Sequence, residues 1–273
     1  MSMQPLLRSI PLRLESLLLI VRLLVLGLML SYIGFILHQK EASLTTLYQQ
    51  WLLVKEQGLF LPLLLLLGLI NWSLEAQKWR LLASKVEPIS WKEAFKGVLA
   101  GLSLGFVTPN TVGDYAARIW MLENRNRMEA IGAVMLGRVA QLYITLMAGG
   151  VALMYFCLTQ TPPQTTLFYT VLATWLIFLG AGIYVAIDRV VPHRAFISSL
   201  EKIRWLQFSS SYFQVLTLYK SSEVFQVLGL ALLRYVVFSS QFLLLLWIFG
   251  VRLPLPDLLT GIGLVYLAKS VVP

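Results

Sequence analysis

The sequence predicts an all-α, polytopic helical membrane protein with about five spanning helices, re-entrant hairpins and an inverted repeat. Three observations carry this reading. The set AVILMFWYC makes up 58 % of the 273 residues and charged residues only 13 %, against roughly 45–50 % apolar and ~25 % charged in soluble domains. The apolar residues fall into runs long enough to cross a bilayer. Short stretches rich in small residues, each leading to a proline, lie between or after those runs. This composition excludes a soluble globular enzyme, a disordered chain and a disulfide-built secreted module, and the single cysteine, Cys157, allows no internal bridge.

The first run, Leu14 to Leu37, is too long for a signal peptide, and no small-residue cleavage site follows it. Arg22 within it is expected to snorkel to the surface. The second run spans Leu59 to about Leu74 and continues into a polar, aromatic end through Arg80, where Lys78, Trp79 and Arg80 read as an interfacial anchor. Ala94 to Val107 is weakly apolar and carries Gly97, Gly101 and Gly105. At ~1.5 Å per residue it is too short for a ~30 Å hydrocarbon core. With Gly113 to Leu122 it predicts a re-entrant hairpin turning at Pro109-Asn110, its small residues permitting close packing.

Met128 to Leu158, Leu167 to Ile187 and Val224 to Val251 are the remaining long runs. Between the last two lies the polar segment Asp188 to Ser222, amphipathic around Phe196 to Tyr219. Leu258 to Pro273 is again rich in small residues. The chain is read as one transmembrane domain over 1–273. Cys157 reads as a small packed or lipid-facing hydrophobe. Trp51, Trp79, Trp91, Trp120, Trp205 and Trp247 read as interfacial belt residues.

The net charge of +9 informs topology. With the N-terminus in the cytoplasm, inside segments hold Arg8, Arg13, Lys78, Arg80, Lys85, Lys92, Lys96, Arg118, Arg125, Arg127, Arg189, Arg194, Lys202, Arg204 and Lys220. Outside segments hold Lys40, Lys55 and Arg252. The asymmetry places the N-terminus in the cytoplasm of a cell membrane.

A shift of 164 positions places Gly97 on Gly261, Pro109 on Pro273, Gln77 on Gln241, Val107 on Val271 and Glu93 on Asp257, without a gap. The repeat halves cover approximately 59–125 and 223–273, and their orientations are expected to be opposite. The second copy stops at the apex of its hairpin, which leads us to expect a continuation beyond Pro273.

Ionisable groups inside a membrane are costly and are functional candidates by default. Asp114 and Arg118, at i and i+4, share a helix face and can pair. The alternative is that Asp114 caps the helix and Arg118 anchors it at the interface. Arg138 and Gln141 share a face deep in their run, where Arg138 needs a partner that Asp114 or Glu75 could supply. It acts either as structural glue or as a fork for a lipid phosphate. Glu75 is either interfacial or part of this group. Arg234 and Gln241, two turns apart, are candidates to line the same cavity from the opposite side. Pro109 and Gly113 are the structural turn, and Lys269 receives no role from the repeat. No catalytic residue, metal ligand set or cofactor motif is present: Walker A, GxGxxG, HExxH and GxSxG are all missing.

Asn71-Trp72 through Glu75, Lys78-Trp79-Arg80, the small-residue helix, Thr108-Pro109, Gly113-Asp114 with Arg118, and Arg138 with Gln141 together resemble a membrane family. It is the flippase-like transmembrane region of the lysylphosphatidylglycerol synthases, also found as stand-alone membrane proteins. The resemblance covers about Leu59 to Pro273. Asp114 stands where the family usually has glutamate, which keeps the carboxylate. Ser270 to Pro273 resembles the start of the family's second proline-glycine-acidic segment.

The resemblance implies a multi-pass plasma-membrane protein that moves anionic phospholipids or other anionic lipids between leaflets, as a flippase or scramblase. It does not imply synthase activity, since Asp188 to Ser222 is too short to fold as the soluble aminoacyltransferase domain. The alternative is a non-transporting subunit that presents lipid to a separate aminoacyl- or glycosyl-transferase. A third reading, an integral membrane enzyme acting on a lipid head group, has no nominated chemistry. Expected partners are lipids with anionic head groups, with a separate transferase or a second copy of the chain as compatible protein partners. Nucleic acid is not among them.

Overall fold

A computed structural model describes residues 58–108, 112–122, 127–187 and 219–271, with isolated positions 27, 31 and 52. The chain divides into two units, Met1–Glu56 and Gln57–Pro273, and the helices described here belong to the second. Among the described residues there are seven helices and no strand. They are α1 (Phe60–Ala83), α2 (Trp91–Val107), α3 (Val112–Trp120), α4 (Arg127–Thr159), α5 (Thr165–Ile187), α6 (Ser221–Ile248) and α7 (Leu255–Val271). The expected first span, Leu14 to Leu37, with Arg22, lies outside the described residues, as do Pro109, Pro273, Trp51 and Trp205.

Four helices, α1, α4, α5 and α6, are long and apolar enough to cross a membrane. Their apolar side chains point outward: Leu65 is 65 % exposed and Ile177 71 %. In water such a surface would be a severe liability, but against lipid it is the correct face. The chain is therefore an all-α polytopic membrane protein.

α2 and α3 pack against each other as a hairpin. At 17 and 9 residues they rise only ~26 and ~14 Å, less than a ~30 Å core. Ser90 starts α2 with a reciprocal cap: its hydroxyl accepts from the Glu93 N–H at 3.3 Å, and its own N–H donates to Glu93 Oε2 at 2.7 Å. This satisfies two of the backbone donors stranded at a helix start. At the turn, the Gly113 N–H donates to Thr108 Oγ1 at 2.8 Å. A Cβ on Gly113 would lie 2.5 Å from the Leu104 carbonyl oxygen, so only glycine fits this crossing.

The end of α1 and the start of α6 lie on one side of the bundle. Lys85 pairs with Glu223 at 2.7 Å, and the Tyr219 hydroxyl donates to the Leu82 carbonyl at 2.7 Å. Burial raises the Tyr219 phenol above its ordinary pKa. At the opposite side, Phe60 meets Trp247 at 4.8 Å between ring centroids, and the Arg252 guanidinium lies 4.4 Å from the Trp247 ring. α6 stops there at Gly250, whose φ of +79° suits glycine. Arg80, Lys85, Lys92 and Lys96 lie toward the first of these two sides, and Arg252 lies at the other.

The core sits where α1, α2, α4 and α6 meet, around Trp79, Leu82, Val98, Val134 and Val227. This corrects the reading of Trp79 and Lys78 as interfacial anchors. Trp79 is 2 % exposed and Lys78 also 2 %. The indole packs against α2 beside Gly97, where a Cβ would lie in ordinary contact 3.5 Å from Trp79 Nε1. Arg80, Trp91, Trp120 and Trp247 are exposed, in keeping with a belt. Cys157 is buried, the packed alternative of the two expected for it.

Candidate functional site: a buried chain of charges

Six ionisable side chains from α1, α3, α4 and α6 form one continuous chain of ion pairs. Glu75 on α1 stands at its centre. Its Oε1 accepts from Arg118 Nη1 at 2.7 Å, and its Oε2 takes both Lys78 Nζ at 2.8 Å and Arg234 Nη1 at 2.7 Å. Arg118 turns its other edge to Asp114, with Nε to Oδ1 at 2.8 Å and Nη2 to Oδ2 at 3.1 Å. Asp114 Oδ2 also accepts from Arg138 Nη2. At the other end, Arg234 Nε donates to Asn71 Oδ1 at 2.8 Å.

The local helix pattern explains each placement. Glu75 and Lys78 are three apart on α1, and Asp114 and Arg118 four apart on α3, so each pair shares a helix face. Asp114 reaches Arg138 because α3 lies tight against α2. A Cβ on Gly101 would fall 2.2 Å from Asp114 Oδ1, and one on Gly105 3.2 Å from Asp114 Cβ. The small-residue stripe of α2 is the slot into which the carboxylate fits. Arg138 lies ~16 Å along α4 from its start and Arg234 ~20 Å along α6, too deep for either to escape readily to the interface. The Arg138 guanidinium also lies over the Tyr115 ring, 5.1 Å from its centroid.

The chain has an enclosed middle and two open ends. The side chains of Lys78, Glu75, Asp114 and Arg118 are 3, 6, 5 and 7 % exposed. Those of Arg138 and Arg234 are 41 % and 23 % exposed. Four cations face two carboxylates, so the six groups sum to a formal charge of +2. Two other described carboxylates are used elsewhere: Glu223 pairs with Lys85 and Glu93 caps α2.

The structure brings together five of the expected site residues, Glu75, Asp114, Arg118, Arg138 and Arg234. Of the two partners open to Arg138, it takes Asp114. Asp114 is a hub of ion pairs, which goes beyond the capping role weighed for it. Gln141 and Gln241 stand outside the charge chain. Gln141 Nε2 donates to the Ala231 carbonyl at 3.3 Å, while Gln241 Nε2 donates to the Leu64 carbonyl at 3.2 Å. Arg234 and Gln241 therefore serve different contacts. Gly113 shapes the turn, and Lys269 is exposed on α7.

Sequence reasoning missed Lys78 and Asn71 as members of the site. Both carried a signal. Lys78 is a cation one turn from a carboxylate, and Asn71 lies one turn on the other side of that carboxylate.

The arrangement holds two partly open guanidinium groups against a rigid, buried and electropositive base. Such a base attracts an anion and orients it through forked N–H donors. No curated protein and no solved structure matches the chain. The family model for the lysylphosphatidylglycerol synthase TM region matches residues 15–273. The match takes in every helix described here and all six groups of the charge chain, and the protein belongs to the lysylphosphatidylglycerol synthase transmembrane-region family.

Proposed function

We propose that this protein translocates anionic phospholipids, or other lipids with anionic head groups, between the leaflets of a cell membrane. The observation that carries the reading is the buried chain of charges with its formal excess of +2. Uncompensated charge within a membrane-spanning bundle is expensive, and a lipid phosphate arriving at Arg138 or at Arg234 would offset it. The helix surface beside those arginines is apolar, with Val139 57 % and Leu233 55 % exposed, which suits the acyl chains of the same molecule.

Two further features support the reading. Under the 164-residue shift, α2 falls on α7 end to end, Trp91 on Leu255 and Val107 on Val271. α1 likewise falls within α6. That agrees with a duplicated span-plus-hairpin unit, the plan of many transporters that alternate access around a central site. The gathering of Arg80, Lys85, Lys92 and Lys96 toward one side agrees with that side being cytoplasmic.

A lipid-flip assay tests the reading. The full chain is reconstituted in liposomes with head-group-labelled anionic and zwitterionic lipids, and quencher-accessible fluorescence is followed. Wild type should flip anionic lipid above empty liposomes, and Arg118→Gln and Arg138→Gln should not, with folding intact. Absence of flipping for every lipid would refute the reading and transfer weight to a subunit that presents lipid to a separate transferase.

A further inference from the structure

The far end of α6 folds back on itself. The Gly250 N–H donates to the Trp247 carbonyl at 3.1 Å, and the Val251 N–H to the Leu246 carbonyl at 2.9 Å. These are the paired bonds of a Schellman stop, which needs a left-handed residue at Gly250. The reversal lays Arg252 against the helix the chain has just left. Its Nη1 donates to the Trp247 carbonyl at 2.6 Å, and its guanidinium carbon lies 4.4 Å from the centroid of the Trp247 ring.

Beyond the turn, α7 packs mainly on α4 and meets α6 much less. Glycines allow the close approach to α4. A Cβ on Gly149 would fall 2.7 Å from Leu267 Cβ, and one on Gly263 2.7 Å from Ala152 Cβ. A groove stays open where α1, α6 and the start of α7 come together. Leu63 and Leu67 of α1, Leu243 and Trp247 of α6, and Leu255 and Leu258 of α7 line it. Its volume is about 470 Å³. An apolar cavity of ~150 Å³ takes up benzene, so this groove has room for ~18 carbon atoms. Under the 164-residue shift, Leu243 stands where α1 has Trp79. The indole that packs between α1 and α2 thus has no counterpart between α6 and α7.

We infer that this groove seats an anionic phospholipid, its acyl chains against the leucines and its phosphate on Arg252. The site is separate from the chain of charges and stands whether or not the protein translocates lipid. Charge selects the occupant. Arg252 is exposed beside Trp247, on the wall of the groove, and has no ion-pair partner among the described residues. Asp257, the described carboxylate nearest to it in sequence, is engaged with α4, where its Oδ1 accepts from the Tyr155 hydroxyl at 3.3 Å. A guanidinium offers forked donors that match phosphate oxygens, and tryptophan favours the level of the lipid head groups. A zwitterionic lipid would bring its own cation to Arg252, and an anionic one does not. An exposed ion pair is worth a factor of roughly two to five, so a preference of about threefold is expected.

The test is photo-crosslinking of the full chain in phosphatidylcholine nanodiscs. These carry a trace of either phosphatidylglycerol or phosphatidylcholine with a diazirine in one acyl chain, and the crosslinks are mapped by mass spectrometry. Labelling of segments 60–67, 240–247 and 253–258 is read against the exposed face of α5 around Ile177. In wild type the phosphatidylglycerol probe should label the groove segments about threefold more than the phosphatidylcholine probe, with no such preference on α5. Arg252→Gln should bring the two probes level in the groove. Leu243→Trp supplies the missing indole and should lower groove labelling by both probes.

Equal labelling of the groove by the two probes in wild type would overturn the inference, as would a preference that survives Arg252→Gln. A groove that neither probe labels while α5 is labelled would also overturn it, since protein then covers the site. If Leu243→Trp does not fold, the wild-type preference and Arg252→Gln decide. None of these outcomes bears on flipping through the chain of charges, which the liposome assay reads separately.

Discussion

Glu75 holds three cations with one carboxylate, which makes Glu75→Gln the most informative perturbation of the fold. The substitution preserves shape and removes one charge, so the six groups go from a sum of +2 to +3. Breaking a buried ion pair by removing one partner costs about 3–5 kcal/mol. The three partners do not suffer equally. Arg118 keeps both bonds to Asp114, and Arg234, 23 % exposed, can turn toward the opening. Lys78, 3 % exposed, has Glu75 as its ion-pair partner and is stranded. The loss therefore falls near the low end, ~3 kcal/mol.

The assay is equilibrium unfolding of the full chain in mixed nonionic-detergent and dodecyl sulfate micelles, read by circular dichroism. The double variant Glu75→Gln/Lys78→Met removes the stranded cation with its partner. It should recover about 2 kcal/mol of the loss as a coupling energy. The reasoning fails if Glu75→Gln lies within about 1 kcal/mol of wild type. It also fails if the double variant is as unstable as the sum of the single variants.

Two more outcomes follow from α2. Gly101→Ala puts a methyl 2.2 Å from Asp114 Oδ1, so the carboxylate must rotate off its arginines. Overpacking of this kind costs about 1–3 kcal/mol, and lipid flipping should fall as far as in Arg138→Gln; an unaffected flip rate would show that Asp114 does not position Arg138. Glu93 is held below its ordinary value of 4.5, chiefly by the Ser90 N–H that it accepts from. A carboxylate with a depressed folded-state pKa contributes stability that is present above the unfolded value and lost as pH falls through the folded one. Glu93→Gln should therefore be less stable than wild type at pH 7, and the difference should shrink as pH falls below the ordinary carboxylate value. A difference that stays unchanged throughout acid titration would mean that the cap does not depend on the carboxylate's charge.

The sequence determined everything that follows from one-dimensional pattern. Run length separated the four described spans from the short hairpin helices, because a fixed rise per residue meets a fixed bilayer thickness. The expected run Met128 to Leu158 is the helix Arg127–Thr159, and Leu167 to Ile187 is Thr165–Ile187. The pairing of Asp114 with Arg118 was legible because helix geometry fixes which residues share a face. Glu75, Arg138 and Arg234 stood out as ionisable groups within apolar runs.

Only the tertiary structure decided which helices bring those groups together. No periodicity along α1 says that Glu75 meets α3 and α6 at once, since that contact depends on the packing of separate segments. The same packing reversed the reading of Lys78 and Trp79. At the end of an apolar run, lysine and tryptophan usually mark the interface, but here the indole packs into the core shared by α1, α2, α4 and α6, and Glu75 takes the ammonium with it. Gln241 went the other way. It shares a helix with Arg234, yet it meets a backbone carbonyl of α1, because two turns of helix carry it ~10 Å beyond the reach of the carboxylates. A sequence lists its charges, but whether they cancel depends on which of them the folded chain places within a few ångströms, where the low dielectric makes each remaining charge count.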